Sequence, residues 1–172
     1  VHYSALIGLL VLAGAALLGF AALHDLGFRT VPNRVSLAIL ICGLVLRLLS
    51  HDLLYGCMCG AIMFLFTYSF WRLGWMGGAD VKLLTASAVF VPPLMVPTLV
   101  IGTSLAGGVL ALIYVIGSRL VPRRPAIADP ARPTGLVRRA LRCELRRLRR
   151  RGPLPYAAAI ATGGWLAIVT SP

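Results

Sequence analysis

Carboxylates are the scarce residues of this chain: five acidic side chains in 172 residues, against seventeen lysines and arginines. Charge of either sign is sparse, at 13% of residues, where a soluble domain carries roughly a quarter. With 59% hydrophobic residues and a mean hydropathy of +0.88, the composition excludes an ordinary water-soluble globule. Missing motifs narrow the chemistry further. There is no His-Glu-x-x-His, no Gly-x-Ser-x-Gly, no phosphate loop and no dinucleotide fingerprint. Cysteine adds little: Cys42, Cys57 and Cys59 fall in apolar runs and Cys143 in a basic segment. The Cys57-x-Cys59 spacing lacks the paired knuckles of a zinc site, so neither a disulfide framework nor a metal or other cofactor is expected. Hydrolytic chemistry, if present, falls to carboxylates.

What the chain does have is apolar runs long enough to cross a bilayer, which takes about 20 residues per helix. Six are read, at 3–23, 35–49, 53–71, 81–95, 96–116 and 154–170. The expected fold is all-α, a polytopic membrane helical bundle of about six transmembrane helices, forming one membrane-embedded domain over 1–172. The second and fourth runs are short. The boundary between the fourth and fifth rests on Pro92, Pro93 and Pro97 as helix breakers. The first run has no basic region before it and exceeds the usual signal-peptide core of about 7–15 residues, so a retained span is expected, although the sequence opens on Val1.

Charge placement orients such a bundle. With the N-terminus outside, the inside segments 24–34, 72–80 (with Lys82 beside it) and 117–153 hold sixteen basic residues, and the outside segments hold only Arg47. That asymmetry places the inside segments in the cytoplasm by the positive-inside rule. It also puts Asp25 and Asp80 on the same face. The net charge of +12 is concentrated between Arg119 and Arg151. In LVRRALRCELRRLRRR (136–151), Val137, Leu141, Leu145 and Leu148 recur at helical spacing among arginines, as in an interfacial amphipathic helix. Anionic lipid is the expected partner of this loop. Nucleic acid, the other reading of an arginine run, is disfavoured because flanking spans tether the loop to the membrane.

Two of the few acids stand where ionisable groups are expensive and therefore functional candidates. Asp25 lies in HDLGFRTVPN (24–33), at the end of the first span and before a Pro32-Asn33 turn. A helix C-terminus is electrostatically poor ground for an acid. Asp80 lies in WMGGADVKLL (75–84), where it reads equally as an N-cap for the fourth helix. Gly77, Gly78 and Ala79 before it permit close backbone approach, of helix to helix or of a peptide. Lys82 can snorkel to phosphates, and at two residues from Asp80 it is not that residue's helical ion-pair partner.

Three segments, in order, resemble the type IV prepilin leader peptidases, membrane aspartic proteases with a Gly-x-Gly-Asp motif. Asp25 with Val31-Pro32-Asn33 resembles the family's first aspartate and its Ile-Pro-Asn turn. Gly77-Gly78-Ala79-Asp80-Val81-Lys82-Leu83-Leu84 resembles the second. Pro155-Tyr156-Ala157-Ala158-Ala159-Ile160-Ala161-Thr162-Gly163 resembles the Pro-Tyr-x-x-Ala-Ile-Ala-x-Gly stretch of the last span. Ala79 departs from the motif's second glycine. The cytoplasmic insert with paired Cys-x-x-Cys motifs, associated in larger members with N-methylation, is missing, so the chain resembles the short branch serving tight-adherence-type pili.

The resemblance implies an aspartic endopeptidase of the bacterial inner membrane that removes a basic leader from prepilin or pilin-like precursors at the cytoplasmic face. Asp25 and Asp80 are the implied catalytic pair, with Pro32, Asn33, Gly77, Gly78, Ala79 and Lys82 shaping the site or binding substrate. Two other classes compete. In a non-catalytic membrane scaffold the acids serve only as helix-end caps. In a proton-coupled transporter they relay protons, which inverted repeats would favour; no convincing repeat is found.

Overall fold

In a computed structural model, described over residues 2–120 and 155–171, the chain is an all-α membrane bundle. The described residues form six α-helices: α1 (His2–Phe28), α2 (Asn33–Leu49), α3 (Leu53–Arg72), α4 (Gly78–Phe90), α5 (Val96–Leu120) and α6 (Tyr156–Val169). Three stretches, Ala5–Phe28 in α1, Leu53–Arg72 in α3 and Pro93–Gly117, which leads into α5, are long and apolar enough to cross a membrane. The others are shorter. At 1.5 Å per residue, the 13 residues of α4 span about 20 Å, less than a hydrocarbon core of about 30 Å.

Helix ends differ from the sequence reading in physically explicable ways. The first helix does not stop at residue 23 but runs to Phe28, and the chain then reverses at Arg29 with φ 57°. Asp25 therefore sits within the last turn of α1 rather than beyond it. The fourth helix ends at Phe90, because Val91, which precedes Pro92, is held extended at φ −72° and ψ 153°. A short 3₁₀ turn, Pro93–Met95, leads into α5, so residues 91–95 are not part of the fourth helix as expected. The fifth continues past residue 116 to Leu120. The amphipathic helix expected at 136–151, and all the loop arginines except Arg119, lie outside the described residues.

The helices form an arc. α5 packs on α6, α6 on α1, α1 on α2, α2 on α4 and α4 on α3, while α3 and α5, at the two ends, hardly touch. α4 is the most enclosed member, with Val81, Leu83, Leu84 and the run from Ala86 to Phe90 all buried. Apolar side chains gain little by leaving lipid for a helix interface, so close packing has to hold such a bundle. Glycine brings helix backbone against helix backbone at two crossings. A Cβ on Gly43 of α2 would meet the Phe90 backbone at 2.8 Å, and one on Gly163 of α6 would meet the Thr103 nitrogen of α5 at 2.6 Å. At the α2–α3 turn, far along the chain's path from both aspartates, Arg47 pairs with Asp52 at 2.6 Å. Arg47 is thus neutralised where it is buried.

Candidate active site

Asp25 is 8% exposed, and its placement against the carbonyl end of α1 is offset by another helix. Its Oδ2 accepts the Ala157 N–H at 3.3 Å. Ala157 lies in the first turn of α6, where backbone N–H groups have no partner within their own helix. Pro155, the residue preceding α6, offers no side-chain cap. Asp25 supplies one from α1, so the third sequence motif holds the first aspartate in place.

Asp80 occupies the third position of α4, and Gly77, not Asp80, is the residue at which the helix begins. The expectation that Asp80 is the N-cap is corrected accordingly. Instead it reaches back to a Gly77 backbone hydrogen bond, the reverse half of a capping box. A Cβ on Gly77 would stand 3.1 Å from Asp80 Oδ2, so glycine there leaves room for the carboxylate. Gly78 has no comparable constraint; its added Cβ would meet only Trp71 Nε1 at 3.4 Å. The Ala79 methyl, the departure from the Gly-x-Gly-Asp pattern, packs against the core.

The two acids feel each other. Asp80 stands just before the 81–95 run, and burial pushes its carboxyl up from 3.8 to about 6. The negative charge of Asp25 adds to that rise, and the Gly77 hydrogen bond opposes it. Desolvation beside a second carboxylate favours one shared proton over two full charges.

Residues around the pair tie the motifs together. Lys82 Nζ donates to Asn33 Oδ1 at 3.1 Å, pinning the turn that begins α2 to the first turns of α4. Pro32 is the N-cap position of α2. Tyr156 lies within the field of the Asp80 carboxylate, and its ring lies 3.1 Å from where a Cβ on Gly107 would stand. Arg29, just past α1, donates to the Tyr114 hydroxyl at 2.8 Å and joins the ends of α1 and α5.

Residues 12–112 match the type IV leader peptidase family. The chain belongs to that family. The matched segment contains both aspartates, the Pro32-Asn33 turn and the glycine-flanked start of α4. No curated protein and no solved structure matches the chain. As a type IV leader peptidase family member the protein is a membrane protease, and its fold gathers residues from all three motifs around Asp25 and Asp80. Tyr156 and Ala157 belong to this cluster although neither was singled out from sequence. The Pro-Tyr-Ala-Ala run was the available signal, but it did not say which of its atoms faces an acid.

Proposed function

We propose that the protein is an aspartic endopeptidase that removes the leader from prepilin or pilin-like precursors, using Asp25 and Asp80 as its catalytic pair. The observation that carries this reading is the mutual influence of the two carboxylates, with Asp80 raised to about 6 by burial and by Asp25.

In the reaction, Asp80 holds the shared proton and Asp25 the negative charge. Asp25 takes a proton from a water, and that water's oxygen attacks the scissile carbonyl carbon. Asp80 donates its proton toward the carbonyl oxygen in the same step. Collapse of the tetrahedral intermediate breaks the C–N bond, and a proton passes to the leaving amine. No acyl-enzyme forms. Pro32, Asn33, Gly77, Gly78, Ala79 and Lys82 shape the surroundings of the pair. The charge asymmetry supports a cytoplasmic position for this face, the family resemblance supports a bacterial inner membrane, and in this reading the arginines between Arg119 and Arg151 dock on anionic lipid.

Co-expression with a candidate pilin precursor tests the reading. Wild type converts the precursor to a faster-migrating product. Asp25→Asn and Asp80→Asn leave it uncut while remaining in the membrane fraction. Cleavage retained by either variant refutes the pair, whereas no cleavage even by wild type favours a scaffold, in which asparagine caps nearly as well as aspartate.

A further inference from the structure

Arg29 holds a backbone conformation that a side chain makes costly. Its φ of 57° lies in the left-handed region, where a β-carbon crowds the backbone and glycine is the usual occupant of a helix end. In that conformation its N–H donates to the Asp25 carbonyl oxygen at 2.8 Å, closing the last turn of α1. Its side chain does what glycine could not. Nη2 donates to the Tyr114 hydroxyl at 2.8 Å, and the guanidinium carbon lies 5.7 Å from the Tyr114 ring centroid, within cation–π reach. α1 and α5 otherwise hardly meet, while α5 packs extensively on α6. α6 in turn gives Asp25 the Ala157 N–H. The turn that carries Asp25 is therefore fixed at two points on one helix pair, by its carboxylate on α6 and by Arg29 on α5. Asp80 belongs to α4, which packs chiefly on α2 and α3.

We infer that Arg29 and Tyr114 form a strap that sets the Asp25 carboxylate against Asp80; the inference rests on the peptidase reading above. Both are positioning residues, acting through Asp25, and neither is a catalytic residue. Two carboxylates that share a proton repel each other once both are charged. Asp25 meets that repulsion at a helix end, where the last carbonyls have no partners within the helix. An anchor at the carboxylate by itself lets the turn pivot about it, and a second fixed point on Tyr114 opposes the pivot. A misplacement of about 1 Å can cost roughly a hundredfold in rate, so partial release of this turn is expected to be felt in the chemical step.

Tyr114→Phe is the cleaner probe, because it removes the acceptor oxygen and leaves the ring and every charge in place. Arg29→Gly is the second, since glycine suits the left-handed backbone and only the side chain is lost. The substrate is a pilin-like precursor with a short basic leader and an apolar helix of about 20 residues, cleaved by purified protein in detergent. Each variant is expected to lower kcat roughly tenfold with KM within about twofold of wild type, and to melt close to wild type. The double variant is expected to be no slower than the poorer single one. Independently of cleavage, infrared titration follows the Asp80 carboxyl. In Tyr114→Phe its midpoint is expected to fall below about 6 while staying above 3.8, because a released Asp25 draws away from it. An unchanged kcat, or multiplicative losses in the double variant, overturns the strap. A slower Tyr114→Phe enzyme whose Asp80 midpoint has not moved overturns it too, since the bond then serves structure alone. Failure of the peptidase reading looks different: wild type leaves the precursor whole or Asp25→Asn cuts it, and the Asp80 midpoint still decides the strap.

Discussion

Asp25 of α1 receives the backbone N–H of Ala157, 132 positions later in sequence, at 3.3 Å. One carboxylate thus closes the start of a helix whose own sequence provides no cap. This double duty separates two substitutions that activity alone would not. Asp25→Asn keeps an oxygen acceptor for Ala157, whereas Asp25→Ala leaves a buried N–H unpaired, a loss of about 1–3 kcal/mol. Both variants are expected to lose cleavage, and only the alanine variant to melt at a clearly lower temperature in detergent. Equal melting temperatures would show that the hydrogen bond does not hold α6.

Asp80 sets a pH dependence of unusual sign for an aspartate. Its carboxyl is raised from 3.8 to about 6 in the folded protein, which therefore binds the proton more tightly than the unfolded chain does. Stability is greatest below about 4, falls as pH rises through the window up to about 6, and stays lower above it. The shift corresponds to a cost on the order of 2–3 kcal/mol at neutral pH. Asp80→Asn, which cannot ionise, is expected to melt higher than wild type at pH 8, with the gap closing near pH 4. Cleavage by wild type is expected to decline as pH rises above about 6, as the shared proton is lost. In Asp25→Asn the Asp80 carboxyl is expected to titrate lower than in wild type yet above 3.8, since burial is the larger cause. Infrared titration of the carboxyl band measures it, and an unmoved midpoint would mean that the acids do not interact.

The Lys82–Asn33 hydrogen bond predicts coupling between two distant motifs. Lys82→Met and Asn33→Leu are each expected to cost about 0.5–1.5 kcal/mol and to slow cleavage roughly tenfold by letting the turn drift. The double variant should be no worse than the poorer single one. Fully additive losses in a double-mutant cycle would deny that the two side chains act through each other.

Much of this protein is legible without coordinates. Apolar run lengths announce a helical membrane bundle, and the scarcity of acids draws the eye to Asp25 and Asp80. The helix ends were less legible. Val91 is extended because Pro92 follows it, a local rule, yet residues 91–95 read as helix because they are apolar. The overrun of α1 to Phe28 escaped notice because hydropathy reports contact with lipid and not backbone hydrogen bonding. Gly77, Gly78 and Ala79 read as a stretch that lets backbone approach closely, but the tightest approaches of helix backbone to helix backbone fall at Gly43 and Gly163. Which glycine meets a neighbour depends on helix rotation, which composition does not encode.

Residue types, their order and the charge asymmetry were fixed by the chain itself, since transfer energies and helix-breaking are properties of short segments. Only tertiary structure decided that Asp25 and Asp80 act on each other, that Ala157 serves Asp25, and that α3 and α5 part to leave a groove beside Tyr156. Each of these depends on where helices separated by tens of residues cross and how they are turned. Packing sets those crossings jointly, and no single segment carries the information.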